Sequence, residues 1–188
     1  QRVIGRNRRD GKLTYMYGGA SKLGQPLVIN AAWCAETWAL GADGVVPWQT
    51  IGTKDSFTKP DDLAVFYPGP DGPMPSLRLK AFRAGQQLAE YLAIYAAASG
   101  QDRDAVGAAV LALPGLRAGT VKTYADDAGS SAFGDGAARS VAELRLRLGA
   151  WLDAQAPAPR ARWHDPRPRA QDPGRIKPIS ALPSPVNR

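Results

Sequence analysis

Hydrophobic positions change period along this chain, and each change marks an element. Leu13-Thr-Tyr-Met-Tyr17 is a run of β-formers stopped by Gly18-Gly19, which predicts a short strand. From Asn30 to Leu40 alanines and tryptophans recur until Gly41 closes the stretch, which predicts a helix. Trp33 and Trp38 cannot share one face of a strand, because they are an odd number of positions apart; a helix brings them closer, with alanine between. Gly44-Val-Val-Pro-Trp48 predicts a second strand with Pro47 at its end, entered through the tight turn Gly41-Ala-Asp-Gly44. Strand, connection, helix and strand make a βαβ unit. Its two strands are expected to run parallel, joined by a right-handed crossover.

Leu63-Ala-Val-Phe-Tyr67 predicts a third strand, stopped by the rigid loop Pro68-Gly-Pro-Asp-Gly-Pro73. Ser76 is placed to cap a helix reaching about Ser99, with Leu77, Ala81, Phe82, Gly85, Leu88, Leu92 and Tyr95 at helical spacing. Two weaker helices are expected, one near 103–113 ahead of Pro114-Gly115 and one from about Asp135 to Gln155. Val141, Leu144, Leu148, Trp151 and Leu152 share a face of the latter. Between them, 126–136 reads as a Gly/Ser-rich loop. No internal repeat is present.

Composition changes this picture mainly at the ends. The net charge of +7 comes from 24 Lys+Arg against 17 Asp+Glu in 188 residues. Residues 1–12 carry five bases and one acid, and residues 156–188 carry seven bases and two acids, which leaves the body at −2. Both ends read as poorly ordered, and the last 33 residues hold eight of the 16 prolines. The tail 156–188 is expected to be disordered, since its few apolar residues cannot offset the entropy of ordering it. Nucleic-acid binding through a basic face of the fold is not indicated. No apolar run approaches the roughly 20 residues of a membrane span, and no signal-peptide h-region is legible.

Candidate chemistry is sparse. One Cys and one His leave no Cys-rich or His-based metal site, and no cofactor motif is recognised. Cys34 lies inside an Ala/Trp helix and reads as a buried, inert thiol. The Gly-rich stretch 129–136 lacks the Lys-Ser/Thr ending of a phosphate loop. Asp61-Asp62 and Asp126-Asp127 fall in predicted loops and read as solvated acids rather than a catalytic dyad. Tyr17 and Trp48 end the two strands, and ligands of parallel βαβ sheets bind at the strands' carboxyl ends. An aromatic face there suits the C–H face of a sugar ring, and Gln49 is placed to meet its hydroxyls. Composition equally allows Tyr17 and Trp48 to be packing aromatics.

An ordered series of motifs carries a family resemblance over about residues 8–98. It comprises Gly41-Ala-Asp-Gly-Val-Val-Pro-Trp48, Phe66-Tyr-Pro-Gly69, Pro75-Ser-Leu-Arg-Leu-Lys-Ala-Phe-Arg83 and Glu90-Tyr-Leu92. Together they resemble the C-terminal end of the glycoside hydrolase family 123-like catalytic domain. The resemblance implies an α/β fold: the last βα units of a TIM-type (β/α)8 barrel, ending in a Trp-bearing strand, a Tyr-Pro-Gly hairpin and a helix opening Pro-Ser-hydrophobic-Arg-Leu. Residues 1–99 would form this incomplete barrel, 100–155 a helical extension and 156–188 the tail. A whole barrel takes about 250 residues, with roughly 200 as a lower limit, so 188 residues read as the end of one.

The family's catalytic Asp-Glu pair is expected on an earlier strand, so no catalytic residue is assigned in this chain. Tyr17, Trp48 and Gln49 would line the sugar site, and Arg78, Arg83 and Glu90 would form structural pairs on the long helix. The partners implied are a carbohydrate substrate and the upstream barrel segment of the same parent. That parent would act on 2-acetamido sugars, whose acetamido oxygen attacks the anomeric carbon. Two alternatives stand beside this reading: a non-catalytic carbohydrate-binding or structural domain, and a basic interaction module working through the charged ends.

Overall fold

In the computed structural model, residues 2–19, 21–61, 63–117, 119–120 and 131–155 are described. The expectations for Asp62, for Asp126-Asp127, for the tail 156–188 and for residues 126–130 of the 126–136 loop lie outside these residues.

Two short strands, β1 (Tyr15–Gly18) and β2 (Gly44–Pro47), flank helix α2 (Val28–Ala39) and pair in parallel, Tyr15 opposite Gly44 and Gly18 opposite Pro47. The strand–helix–strand order predicts this pairing. Gly41 ends α2 at φ +88°, a left-handed cap conformation that a Cβ would strain. Asp43 then ties the two strands at their start: its N–H donates to Thr14 O, and the Thr14 N–H donates to its carboxylate, each at 2.7 Å. Beyond β2 the chain stays extended. Ile51 bridges Phe66 in parallel, with Phe66 N–H donating to Thr50 O at 2.8 Å.

The third strand, β3 (Phe66–Gly69), starts three residues later than the β-formers suggest. Leu63 and Ala64 instead donate their N–H groups to Asp61, which bends the chain before it can extend. Pro68 and Gly69 are part of a hairpin with β4 (Gly72–Pro75) rather than of a loop. Proline is tolerated there because a two-stranded hairpin has only edges. The three sheets are two-stranded, and none closes among the described residues. A third pair joins β5 (Gly119–Thr120) to β6 (Ser131–Ala132).

Helices supply the core. Ser76 caps α3 (Leu77–Ser99) by accepting the Arg78 N–H, Asp102 caps α4 (Arg103–Leu111), and α5 (Ala137–Gln155) completes the set. Leu88, Leu92, Tyr95, Val106, Val110, Leu144, Leu148 and Trp151 meet around the alanine face of α2. Tyr95 and Trp151 cross edge to face at 4.9 Å. Small residues set how closely the helices approach. A Cβ on Gly85 of α3 would lie 2.8 Å from Ala31 Cα, and one on Gly107 of α4 would lie 2.3 Å from Ala39 O. Leu77, placed on the apolar face by its spacing, is exposed, while Arg78 beside it in the same turn is buried.

The N-terminal basic stretch is not the disordered end that its charge suggests. It forms helix α1 (Arg2–Arg9), which buries Ile4 and pairs Arg8 with Asp104 at 2.6 Å. Sequence charge missed it because one buried isoleucine and one distant aspartate hold it. On α4, Arg103 donates to Trp38 O and Ala42 O and stacks 4.9 Å from the Trp38 ring centroid. That places a cation on the carboxyl end of α2, where the helix dipole favours it.

Candidate functional site

The parallel register decides which side chains of β1 and β2 share a face. Tyr15 lies opposite Gly44 and Tyr17 opposite Val46, so these residues stand on one side, and Met16 and Val45 on the other. The second side turns toward α2 and α3. The first is uncovered: Leu13, Tyr15, Tyr17, Val46 and Trp48 are all exposed, between 43% and 68%. The Tyr15 ring lies over Gly44, where a Cβ would come within 3.1 Å of it.

At the carboxyl end of this face Tyr17 and Trp48 meet. Their ring centroids are 5.4 Å apart at 65°, and the Trp48 backbone N–H donates to Gly18 O at 2.6 Å. Tyr17 is 52% exposed and Trp48 54% exposed. The structure thus brings together two of the three residues singled out by sequence.

Gln49 is turned elsewhere. Its amide nitrogen donates to Asp61 at 2.9 Å. Because a carboxylate only accepts, that bond fixes which end of the amide faces Asp61 and leaves the Gln49 carbonyl as an acceptor for another group. Asp61 is not a solvated loop acid. Its carboxylate also accepts from Ser56 Oγ at 2.7 Å and from the Leu63 and Ala64 N–H groups, both at 2.9 Å. Burial pulls its pKa upward, but the bonds from Ser56, Leu63, Ala64 and Gln49 outweigh that and hold it below the ordinary 3.8. Donors two and three residues on are the signature of an aspartate-initiated turn, and the Asp61-x-Leu-Ala pattern carries that signal in sequence.

Arg78 anchors the same loop. It is 5% exposed and donates to Ser21 O at 2.7 Å, Asp61 O at 3.0 Å and Ala64 O at 2.9 Å. Tyr67 joins in, its hydroxyl donating to Asp61 O at 2.7 Å. The expected pairing among Arg78, Arg83 and Glu90 is absent among the described residues. Arg78 is satisfied by backbone carbonyls, Glu90 accepts from Gln86 and Arg83 is exposed. Cys34 is buried, and desolvation pushes its thiol up to about 12, so it is no nucleophile at neutral pH.

Among the described residues no cluster of three His, Cys, Asp or Glu side chains is placed to hold a metal ion. Nor is any helix among them long and apolar enough to cross a membrane. No protein-family model matches this chain, and no curated protein or solved structure matches it either.

Proposed function

We propose that this chain is the C-terminal part of a glycoside hydrolase-like (β/α) barrel and that it supplies a sugar-binding surface to it. The observation that carries the reading is the uncovered apolar face of the parallel β1–β2 pair, with Tyr17 and Trp48 side by side and exposed at its carboxyl end. In a βα barrel, helices cover one face of each strand and the other face turns inward. Here α2 and α3 lie on one face, and the opposite face is an aromatic and aliphatic surface that an upstream barrel segment would cover. Its carboxyl end would stay open to a carbohydrate, stacked on Trp48 and Tyr17, with the Gln49 carbonyl accepting from a hydroxyl.

The reaction belongs to the parent. By its resemblance to the family 123-like domain, the parent hydrolyses glycosidic bonds of 2-acetamido sugars, with the acid pair on an upstream strand. Asp61 is a poor substitute for that pair, because four donors hold it ionised.

Two measurements test this. The isolated chain is expected to show no turnover of aryl 2-acetamido glycosides, and measurable turnover would place the acids here after all. Titration with N-acetylglucosamine oligosaccharides, followed by tryptophan fluorescence, is expected to show binding that Trp48→Ala abolishes while the melting temperature barely moves. A variant that melts earlier yet binds as before would make Trp48 a packing residue and remove the sugar surface.

A further inference from the structure

The carboxylate of Asp61 has no lone pair left for a ligand. Oδ1 accepts the Leu63 and Ala64 N–H groups, both at 2.9 Å, and Oδ2 accepts from Ser56 Oγ at 2.7 Å and from Gln49 Nε2 at 2.9 Å. Two bonds to each oxygen fill the roughly four lone-pair positions that an ionised carboxylate offers. Ser56 is buried, and Leu63 and Ala64 contribute backbone groups. Gln49 is different, because a side-chain amide has a second polar end.

That second end is open. Gln49 is half-buried, and its Oε1 has no hydrogen-bond partner among the described residues, yet it is not one of the buried polar atoms left without one. It therefore reaches solvent, on the residue that directly follows Trp48. There it can only accept. Turning the amide round would set Oε1 against an ionised carboxylate, acceptor against acceptor. The charge behind Gln49 is also uncompensated: among the described residues no Lys or Arg side chain pairs with the Asp61 carboxylate, since Arg78 bonds its backbone oxygen instead.

We propose that Asp61 is a positioning residue that makes Gln49 an obligate acceptor, so that the sugar surface takes uncharged sugars and refuses uronates. A hydroxyl or an acetamido N–H satisfies Oε1. A carboxylate has nothing to donate, and it meets the charge of Asp61 as well. This inference rests on the sugar surface proposed above and narrows its substrate class. Asp61→Asn would invert the device. The new Oδ1 can keep the Leu63 and Ala64 N–H bonds, its NH2 must then face Gln49, and Gln49 must answer with Oε1 and turn its own NH2 outward.

Chitotetraose and β-1,4-linked tetraglucuronate test this, because they share a β-1,4 backbone and carry acetamido groups in one case and carboxylates in the other. Titration of the full chain, followed by tryptophan fluorescence, is expected to show chitotetraose bound about tenfold more tightly. Asp61→Asn is expected to weaken chitotetraose, strengthen tetraglucuronate and so erase that preference. Gln49→Leu leaves Asp61 its other three donors and keeps the test open if the asparagine variant does not fold. It is expected to weaken chitotetraose about tenfold and tetraglucuronate far less. Equal wild-type affinity for the two, or a preference that survives in the folded variants, would overturn the proposal and leave the sugar surface standing. Wild-type protein that binds neither would remove the sugar surface itself, and this proposal with it.

Discussion

Replacing Arg78 by methionine is expected to destabilise the protein by about 3–4 kcal/mol. Methionine fills much of the space of the arginine stem but donates nothing. Two carbonyls then lose their only side-chain donor, Ser21 O and Ala64 O, while Asp61 O loses one of two and keeps the Tyr67 hydroxyl. Ser21 is 1% exposed and Ala64 0% exposed, so water cannot easily replace the guanidinium there. Each of those two losses costs about 1.5–2 kcal/mol. Asp61 is only half-buried and its carbonyl keeps the Tyr67 hydroxyl, so the third loss adds little. Arg78→Lys keeps the charge but loses the planar fork that reaches separate carbonyls, and about 2 kcal/mol is expected. Urea unfolding followed by far-UV circular dichroism measures both, read as a shift in midpoint at constant slope. A loss below about 1 kcal/mol for the methionine variant, or wild-type stability for the lysine variant, would refute the clamp. The same residue holds the loop that carries Asp61 and hence Gln49, so its loss is also expected to loosen the candidate sugar surface.

Glycine-to-alanine changes should split by sign. Gly107→Ala and Gly85→Ala drive a Cβ into α2 and are expected to cost about 1–3 kcal/mol, whereas Gly149→Ala, with open space around it, is expected to gain about 0.5–1 kcal/mol by helix propensity. Chemical denaturation of the three variants checks this, and a gain at Gly107 would show that α2 and α4 are not in close contact. Asp61 should contribute to the acid limb of stability. Its folded pKa is lowered, so its contribution is present above the ordinary value of 3.8 and is lost as pH falls through the folded one. The stability gap between wild type and Asp61→Asn is expected to be full at neutral pH and to close on acidification. A gap independent of pH would mean that the carboxylate is not the group that matters.

Local pattern alone determined most elements here. The βαβ unit, the capped helix from Ser76 and the apolar face of α5 are legible because each rests on residues near in sequence: β-formers before glycines, a serine at a helix start, leucines one turn apart. The Tyr17–Trp48 pair was legible too, because parallel strands bring their carboxyl ends together whatever lies between them. Tertiary structure decided the rest. Asp61 reads as a loop acid until Gln49, Ser56 and two backbone amides converge on it, and Arg78 reads as half of an ion pair until the chain folds three carbonyls around it. The N-terminal helix reads as a charged end until Ile4 finds the Gly41 turn and Arg8 finds Asp104, 96 positions away.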